Sequence, residues 1–169
     1  SRYNLNMQPF PWFEGTFRYA SLNNIRYGRE DFSGDQHIKD KSIDFKVKLL
    51  DETRSFPALA FGMRDLGGTG LFSSEYLVAN KRFGDFDLSL GLATGYLGNR
   101  GDFANPLRLI DDRFETRPPP NSALTQAGRF GNSAFRGPVG VFGGVSWNSP
   151  IDNLLVKFEL DGNDYKSEP

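Results

Sequence analysis

Seven charged side chains occupy alternate positions in otherwise apolar segments. Asp44, Lys46 and Lys48 interleave with Ile43, Phe45, Val47 and Leu49, and Arg64 closes a run that carries Leu59, Phe61 and Met63. Asp87 lies between Phe86 and Leu88, and Lys157 and Glu159 alternate with Val156, Phe158 and Leu160. Carboxylates, ammonium groups and a guanidinium in one row have two uses. They line the solvent face of a soluble sheet or fill a narrow barrel as ion pairs, or they offer hydrogen bonds to a hydrophilic passenger in a polar lumen. Composition alone favours the first use.

Other chemistry is hard to assemble. The chain has no Cys and one His, His37. A Ser-His-Asp triad would have to use that residue, and no nucleophile elbow is present. Asp31, Asp35, His37 and Asp40 crowd into one stretch. Their spacing is not that of an EF-hand, and one His is weak support for zinc, so a solvated acidic loop is the better reading. The same holds for DGNDYKSE at Asp161–Glu168. DLGGTG at Asp65–Gly70 lacks the Lys and the spacing of a phosphate loop, and no helical pattern follows it. It reads as a hairpin turn that needs positive φ. A carboxylate pair for glycoside hydrolysis stays open, because 21 residues are Asp or Glu, but nothing singles out one pair. No catalytic, cofactor or metal residue is therefore assigned.

The elements that must position the charged row are strands. Phe86, Leu88, Leu90, Leu92 and Tyr96 share one side, opposed by Asp87, Ser89, Gly91, Ala93 and Gly95. Period two is strand geometry with two chemically different faces. The pattern predicts strands over Trp12–Ile25, Ser42–Leu50, Ala58–Arg64, Leu71–Arg82, Phe86–Leu97, Pro138–Trp147 and Leu154–Asp161. Residues 1–11 read as a polar lead-in and 28–41 as a solvated loop. Phe83–Asp85 and Asn148–Asn153 read as turns. Residues 98–137, with Pro118–Pro119–Pro120, read as a long, flexible irregular loop. About seven strands with short connections imply an all-β, antiparallel up-and-down meander.

Composition agrees. Gly is 19 of 169 residues and Phe 16, which suits curved sheet with tight turns. A net charge of −1 offers no general attraction to nucleic acid. No run of 18 apolar residues exists, so no membrane-spanning helix is expected, but a barrel halves that signal along each strand. Strands that are greasy on one side and small or charged on the other fit a barrel wall around a wet lumen. Trp12, Tyr19, Tyr27, Tyr76, Tyr96, Trp147 and Tyr165 lie near expected strand ends, as interfacial girdles do, although core packing gives the same pattern. Ser1 opens the chain without Met or an apolar leader, which reads as a piece of a longer chain with any export signal upstream.

Three strings are more specific than any pattern: EDFSGDQHIKDKSIDFKVKLL at Glu30–Leu50, PALAFGMRDLGGTGLFSSEYLVANKRFGDFDLSLGLATGYLG at Pro57–Gly98, and FRGPVGVFGGVSWNSP at Phe135–Pro150. Together they resemble the YjbH family of exopolysaccharide and capsule biosynthesis proteins of Gram-negative bacteria, from about Trp12 to Tyr165. The resemblance implies an outer-membrane β-barrel protein, often with a lipoprotein-type signal. It would act with periplasmic proteins of the same secretion system to export or assemble an extracellular polysaccharide. The family brings no catalytic residues. Its members are several times longer, so residues 1–169 are expected to be a single barrel segment. Polysaccharide and outer-membrane lipid are the expected partners, with no cofactor, no nucleic acid and no enzymatic activity. Two rivals remain: a soluble periplasmic glycan-binding β-sandwich, and a carboxylate-pair polysaccharide hydrolase.

Overall fold

The computed structural model describes residues 2–26, 31, 34, 36–119 and 133–166, with the side chains of 22–26 and 38 excepted. The alternating segments become strands β1 (Arg2–Phe10), β2 (Phe13–Arg26), β3 (His37–Leu50), β4 (Ala58–Leu66), β5 (Ser74–Phe83), β6 (Phe86–Gly95), β7 (Gly140–Asn148) and β8 (Leu155–Leu160). All eight belong to one antiparallel sheet in the order β1-β2-β3-β4-β5-β6-β7-β8. The all-β meander is as expected. The sheet is open, with β1 and β8 at its edges.

Several boundaries differ from expectation. The lead-in is a nine-residue strand in its own right: Tyr3, Leu5 and Met7 pair with Tyr19, Phe17 and Gly15. Asn4 and Asn6 supply the polar half of its alternation, which made it look like coil. β3 starts at His37 rather than Ser42, because Lys39 and Asp40 pair with Ser21 and Ala20 on the long neighbour β2. β5 starts at Ser74, after a wider turn than DLGGTG alone.

Connections alternate between the two ends of the sheet, with both two-residue turns at one end and the longest connection at the other. Residues 11–12, 51–57, 84–85 and 149–154 join strands at one end. Residues 27–36, 67–73 and 96–139 join them at the other. The Gly-rich turn behaves as predicted, with Gly67 at φ 69° and Gly70 at φ 81°. The strand expected over Phe86–Leu97 ends at Gly95, where a glycine at positive φ turns the chain into a 3-10 helix over Tyr96–Gly98, so Tyr96 leaves the apolar row. The expected flexible loop contains two more 3-10 helices, Pro106–Leu109 and Asp112–Phe114. Its described residues are tied down. Phe103 pairs with Val139 in a β-bridge, and the Asn105 side chain donates to Phe135 O at 2.6 Å and Gly137 O at 3.0 Å.

Burial is inverted relative to a soluble domain. The buried apolar residues are Ala20, Met63, Phe72, Ala93 and Val139, while the largest fully buried side chains are Asp40, Ser42 and Ser74. Leu5, Leu90 and Phe158 are exposed at 58%, 62% and 69%.

Candidate functional site: the polar face of the sheet

Register assigns every strand residue to one of two faces. Lys46 pairs with Glu14 and Gly62, Gly62 with Tyr76, Tyr76 with Ala93, and Ala93 with Gly140. Alternation from that row places Asp44, Lys46, Lys48, Arg64, Asp87, Lys157 and Glu159 on the same face, as their spacing predicted. Their immediate partners are short polar contacts. Lys46 pairs with Glu14, Lys48 with Asp51 and Arg64 with Asp44. Asp87 accepts a hydrogen bond from Asn80 Nδ2, which also donates to Ser89 Oγ at 2.9 Å. Lys157 and Glu159 lie opposite Ser146 and Gly144.

Toward the long-connection end this face is sealed by a charge cluster that the sequence did not announce. A bulge sets Arg64 and Asp65 of β4 against Asp44 alone, and Asp65 takes φ 59°. Its N–H donates to Asp44 Oδ1 at 2.8 Å, and its Oδ2 accepts from Phe72 N at 3.0 Å. Arg18 lies between the carboxylates, donating to Ser42 Oγ at 3.0 Å with Asp44 at 3.7 Å and Asp65 at 4.0 Å, while its guanidinium sits 5.2 Å from the Phe72 ring. Asp40 accepts from Thr69 N at 2.9 Å. Asp40, expected in a solvated acidic loop, is thus buried under the β4–β5 turn, because β3 extends back to carry it onto this face. Among its proposed neighbours, His37 is exposed and Asp35 lies outside the described residues. No group of three or more His, Asp or Glu suited to a metal ion occurs among the described residues.

The central strands β5 and β7 bring two aromatic rings onto this face, each two residues from the long-connection end of its strand. Tyr76 and Phe142 meet edge to face at 6.0 Å. Each leans over a glycine of an adjoining strand: a Cβ on Gly62 would stand 2.3 Å from Tyr76 Cζ, and one on Gly91 2.3 Å from Phe142 Cζ. Tyr76 was expected among the girdle aromatics and instead belongs to the polar face. The pairing of a lone glycine with an aromatic on the next strand was the available signal, but it needs the register to be known. A groove of about 210 Å³ runs along Glu14, Lys46, Lys48, Ala60, Val78 and Asn80. A second, of about 390 Å³, is lined by Asp87, Ser89, Phe142, Ser146, Lys157 and Glu159.

The opposite face is apolar and, between its ends, free of charge. Across it run Leu5, Phe17, Ile43, Phe45, Val47, Phe61, Leu77, Leu92, Leu90, Leu88, Val145 and Phe158. At the short-turn end, Phe10 stacks on Trp12 at 5.3 Å and Phe86 on Trp147 at 6.1 Å. At the other end, Tyr3 approaches Tyr19 at 6.2 Å, and Phe61, midway along β4, stacks on Phe135 of the long connection at 6.0 Å. Charges enter this face only near its ends. Lys81 reaches out of the short-turn end to Glu52 Oε1 at 2.9 Å, a contact that holds the Glu52 carboxyl below its ordinary range. Glu75, buried, is roofed by the described part of the long connection. Arg117 grips it with two hydrogen bonds of 2.9 and 3.1 Å, Thr94 Oγ1 donates at 2.6 Å and Phe135 N at 2.9 Å.

Beyond the strands, Arg100 forks onto Asp102 at 2.7 Å through both nitrogens, and Val141 N donates to the same carboxylate at 2.7 Å. The Arg100 hydrogen bonds, then the Val141 N–H, pull the Asp102 carboxyl down to about 2. Asp161, Asn163 and Asp164 cap successive backbone N–H groups at 163, 165 and 166. That arrangement is a polar turn.

Comparison with known proteins places this geometry. The YjbH family model, described as "Exopolysaccharide biosynthesis protein YbjH", matches residues 1–169. A relative in Escherichia coli (strain K12), "Uncharacterized lipoprotein YjbH", is 44% identical over 168 residues, which cover 98% of this chain and 24% of the relative. The chain thus spans about a quarter of that relative's length. No solved structure matches.

Proposed function

This chain belongs to the YjbH family of exopolysaccharide biosynthesis proteins, and we propose that it forms part of an outer-membrane β-barrel that assists export or assembly of an extracellular polysaccharide, exopolysaccharide or capsule. The observation that carries the reading is the pair of unlike faces. An apolar face of large exposed side chains, free of charge between its ends, backs onto a polar face where Lys46 pairs with Glu14, Arg64 with Asp44, and Asp87 accepts from Asn80. Among the described residues no second sheet covers the apolar face, which supports the barrel reading over a β-sandwich. Lipid is the solvent that such a face fits.

Four further features agree. β1 and β4–β7 are 9 or 10 residues long and β2 and β3 are 14, against the roughly 9–11 needed to span a bilayer with tilt. The two-residue turns gather at one end and the two longest connections at the other, as in outer-membrane barrels. Aromatic side chains mark both ends of the apolar face. The edges β1 and β8 carry unpaired backbone groups that lipid does not tolerate, so in this reading they pair with strands from the rest of the full-length protein.

In this mechanism the wall is passive and non-enzymatic. Asp44, Lys46, Lys48, Arg64, Asp87, Lys157 and Glu159 face the lumen and offer many modest contacts to sugar hydroxyls, about 0.5–1.5 kcal/mol per hydrogen bond. The carboxylates that crowd together, Asp40 and Asp65, are buried under the β4–β5 turn, away from a passing sugar. Outer-membrane lipid, polysaccharide and periplasmic proteins of the same secretion system are the partners the reading requires. Deleting the full-length gene should lower extracellular polysaccharide while precursor synthesis continues. Substituting Lys46, Arg64 or Asp87 singly should weaken secretion only in part. A single Asp or Glu substitution that abolished the phenotype in an inserted, folded protein would instead favour the hydrolase, since losing a general acid or base typically costs about 10²–10⁴-fold in rate.

A further inference from the structure

Building on the reading of the polar face as the side that meets exported glycan, we propose that this face carries a binding trough for uncharged polysaccharide, with Phe142 as its stacking group, Tyr76 beside the trough bracing that ring, and Asn80 at its centre. Alternation fills most of this face with small, polar or charged residues, and the two rings are its aromatic exceptions in the central strands. They meet each other at 6.0 Å, and each reaches over bare backbone at Gly62 or Gly91. Both are only partly buried. Aromatic rings bind the C–H faces of sugars while neighbouring polar groups take the hydroxyls, which is the usual makeup of a site with a few convergent polar groups.

The two grooves adjoin at one hydrogen-bonded unit. Asn80 lines the 210 Å³ groove, and its partners Asp87 and Ser89 line the 390 Å³ groove that Phe142 borders. Ala58 and Ala60 line the floor of the smaller groove and Gly144 that of the larger. The smaller groove lies along β2 to β5 and the larger along β6 to β8, side by side on the same face.

Charge selects the class. The larger groove presents Asp87, Glu159 and Asp161 against one cation, Lys157. In the smaller groove Lys46 is paired with Glu14 and Lys48 with Asp51. A uronic-acid or phosphate-bearing chain would meet repulsion in one groove and occupied cations in the other, whereas an uncharged chain meets only donors, acceptors and rings.

The test uses the full-length protein in detergent micelles, with maltoheptaose as the uncharged probe and heptagalacturonate as the acidic one, followed by saturation-transfer NMR. Saturable maltoheptaose binding is expected, with heptagalacturonate at least threefold weaker. Phe142→Leu and Tyr76→Leu should each weaken maltoheptaose by about 3–10-fold, the usual range for losing one aromatic contact. Tyr76→Phe, which keeps the ring, should bind like the parent. Ser89→Lys, which places a cation at the centre, should reverse the preference toward heptagalacturonate and remains informative if the Leu variants misfold. No saturable binding, tighter heptagalacturonate binding by the parent protein, or an unchanged preference in Ser89→Lys would overturn the trough. Membrane fractionation of the same strains separates the two ideas. A protein that sits in the outer membrane and supports export but fails these titrations sinks the trough alone. A protein that binds maltoheptaose yet fractionates as soluble periplasmic material sinks the barrel reading and leaves the trough.

Discussion

Arg117 holds Glu75 through a two-pronged contact, Nη1 to Oε2 at 2.9 Å and Nη2 to Oε1 at 3.1 Å, with the Glu75 side chain only 3% exposed. The contact joins the long β6–β7 connection to the apolar face of the sheet. It also neutralises the one carboxylate that the sequence places on that face of β5. Removing one member of a buried pair strands the other, at about 3–5 kcal/mol. Arg117→Ala should therefore destabilise the protein by that amount in urea unfolding and should open residues 98–119 of the connection to protease. Glu75→Gln in the same background should recover most of the loss. A loss below about 1 kcal/mol, with unchanged cleavage, would show that the clamp does not hold the connection.

Leu90 and Ser89 are neighbours on β6 that point to opposite faces, with Leu90 at 62% exposure midway along the strand. A Lys on a lipid-facing position near the bilayer midplane costs about 2–4 kcal/mol. Leu90→Lys should block assembly into the outer membrane, measured as loss of the heat-modifiable band on gels, while Ser89→Lys assembles normally. Equal behaviour of the two variants would remove the assignment of faces.

Asp102 gives a pH dependence whose sign follows from its position near 2, below its ordinary value of 3.8. A carboxyl depressed by folding stabilises the folded state fully above about 3.8, and that contribution drains away as pH falls toward about 2. Hydrogen exchange of the Val141 amide, which the carboxylate holds, should accelerate relative to neighbouring strand amides as pH falls through that window. In Asp102→Asn the acceleration should vanish. Val141 exchange that tracks its neighbours through the window would rule out this cap.

Much of the sheet was legible in the sequence because alternation at period two is dense in β6 and β8 and in the second half of β3. The faces followed with it, so the seven charged residues were gathered correctly onto one side. β1 was missed because its polar positions are Asn rather than charged, and alternation with Asn reads as coil until β2 is seen to pair with it. Asp40 was misread for a related reason. Its neighbours Lys39 and Lys41 look solvated, yet they sit near the end of the apolar face while Asp40 turns inward to the cluster around Arg18. That cluster depends on the Asp65 bulge, and the Tyr76–Phe142 pair depends on which glycine each ring faces. Both are properties of register, which a single sequence does not print. The Arg117–Glu75 contact joins residues 42 positions apart across a connection with no periodic signal.

The central claim is that the apolar face meets lipid and the polar face meets water. Residues 1–169 contain no Cys, so spin labels can be attached at single cysteines introduced there once any cysteine elsewhere in the full-length protein is replaced. They would be placed at Leu88, Leu90 and Phe158 on one face and at Asp87, Ser89 and Lys157 on the other, in the full-length protein reconstituted into lipid vesicles. Collision with oxygen, which concentrates in lipid, and with a water-soluble nickel chelate then reports each site's surroundings. The account predicts a strict alternation along β6 and β8: labels at 88, 90 and 158 relax with oxygen, and labels at 87, 89 and 157 relax with the chelate. Chelate access at both sets of positions, or loss of the alternation, would contradict it.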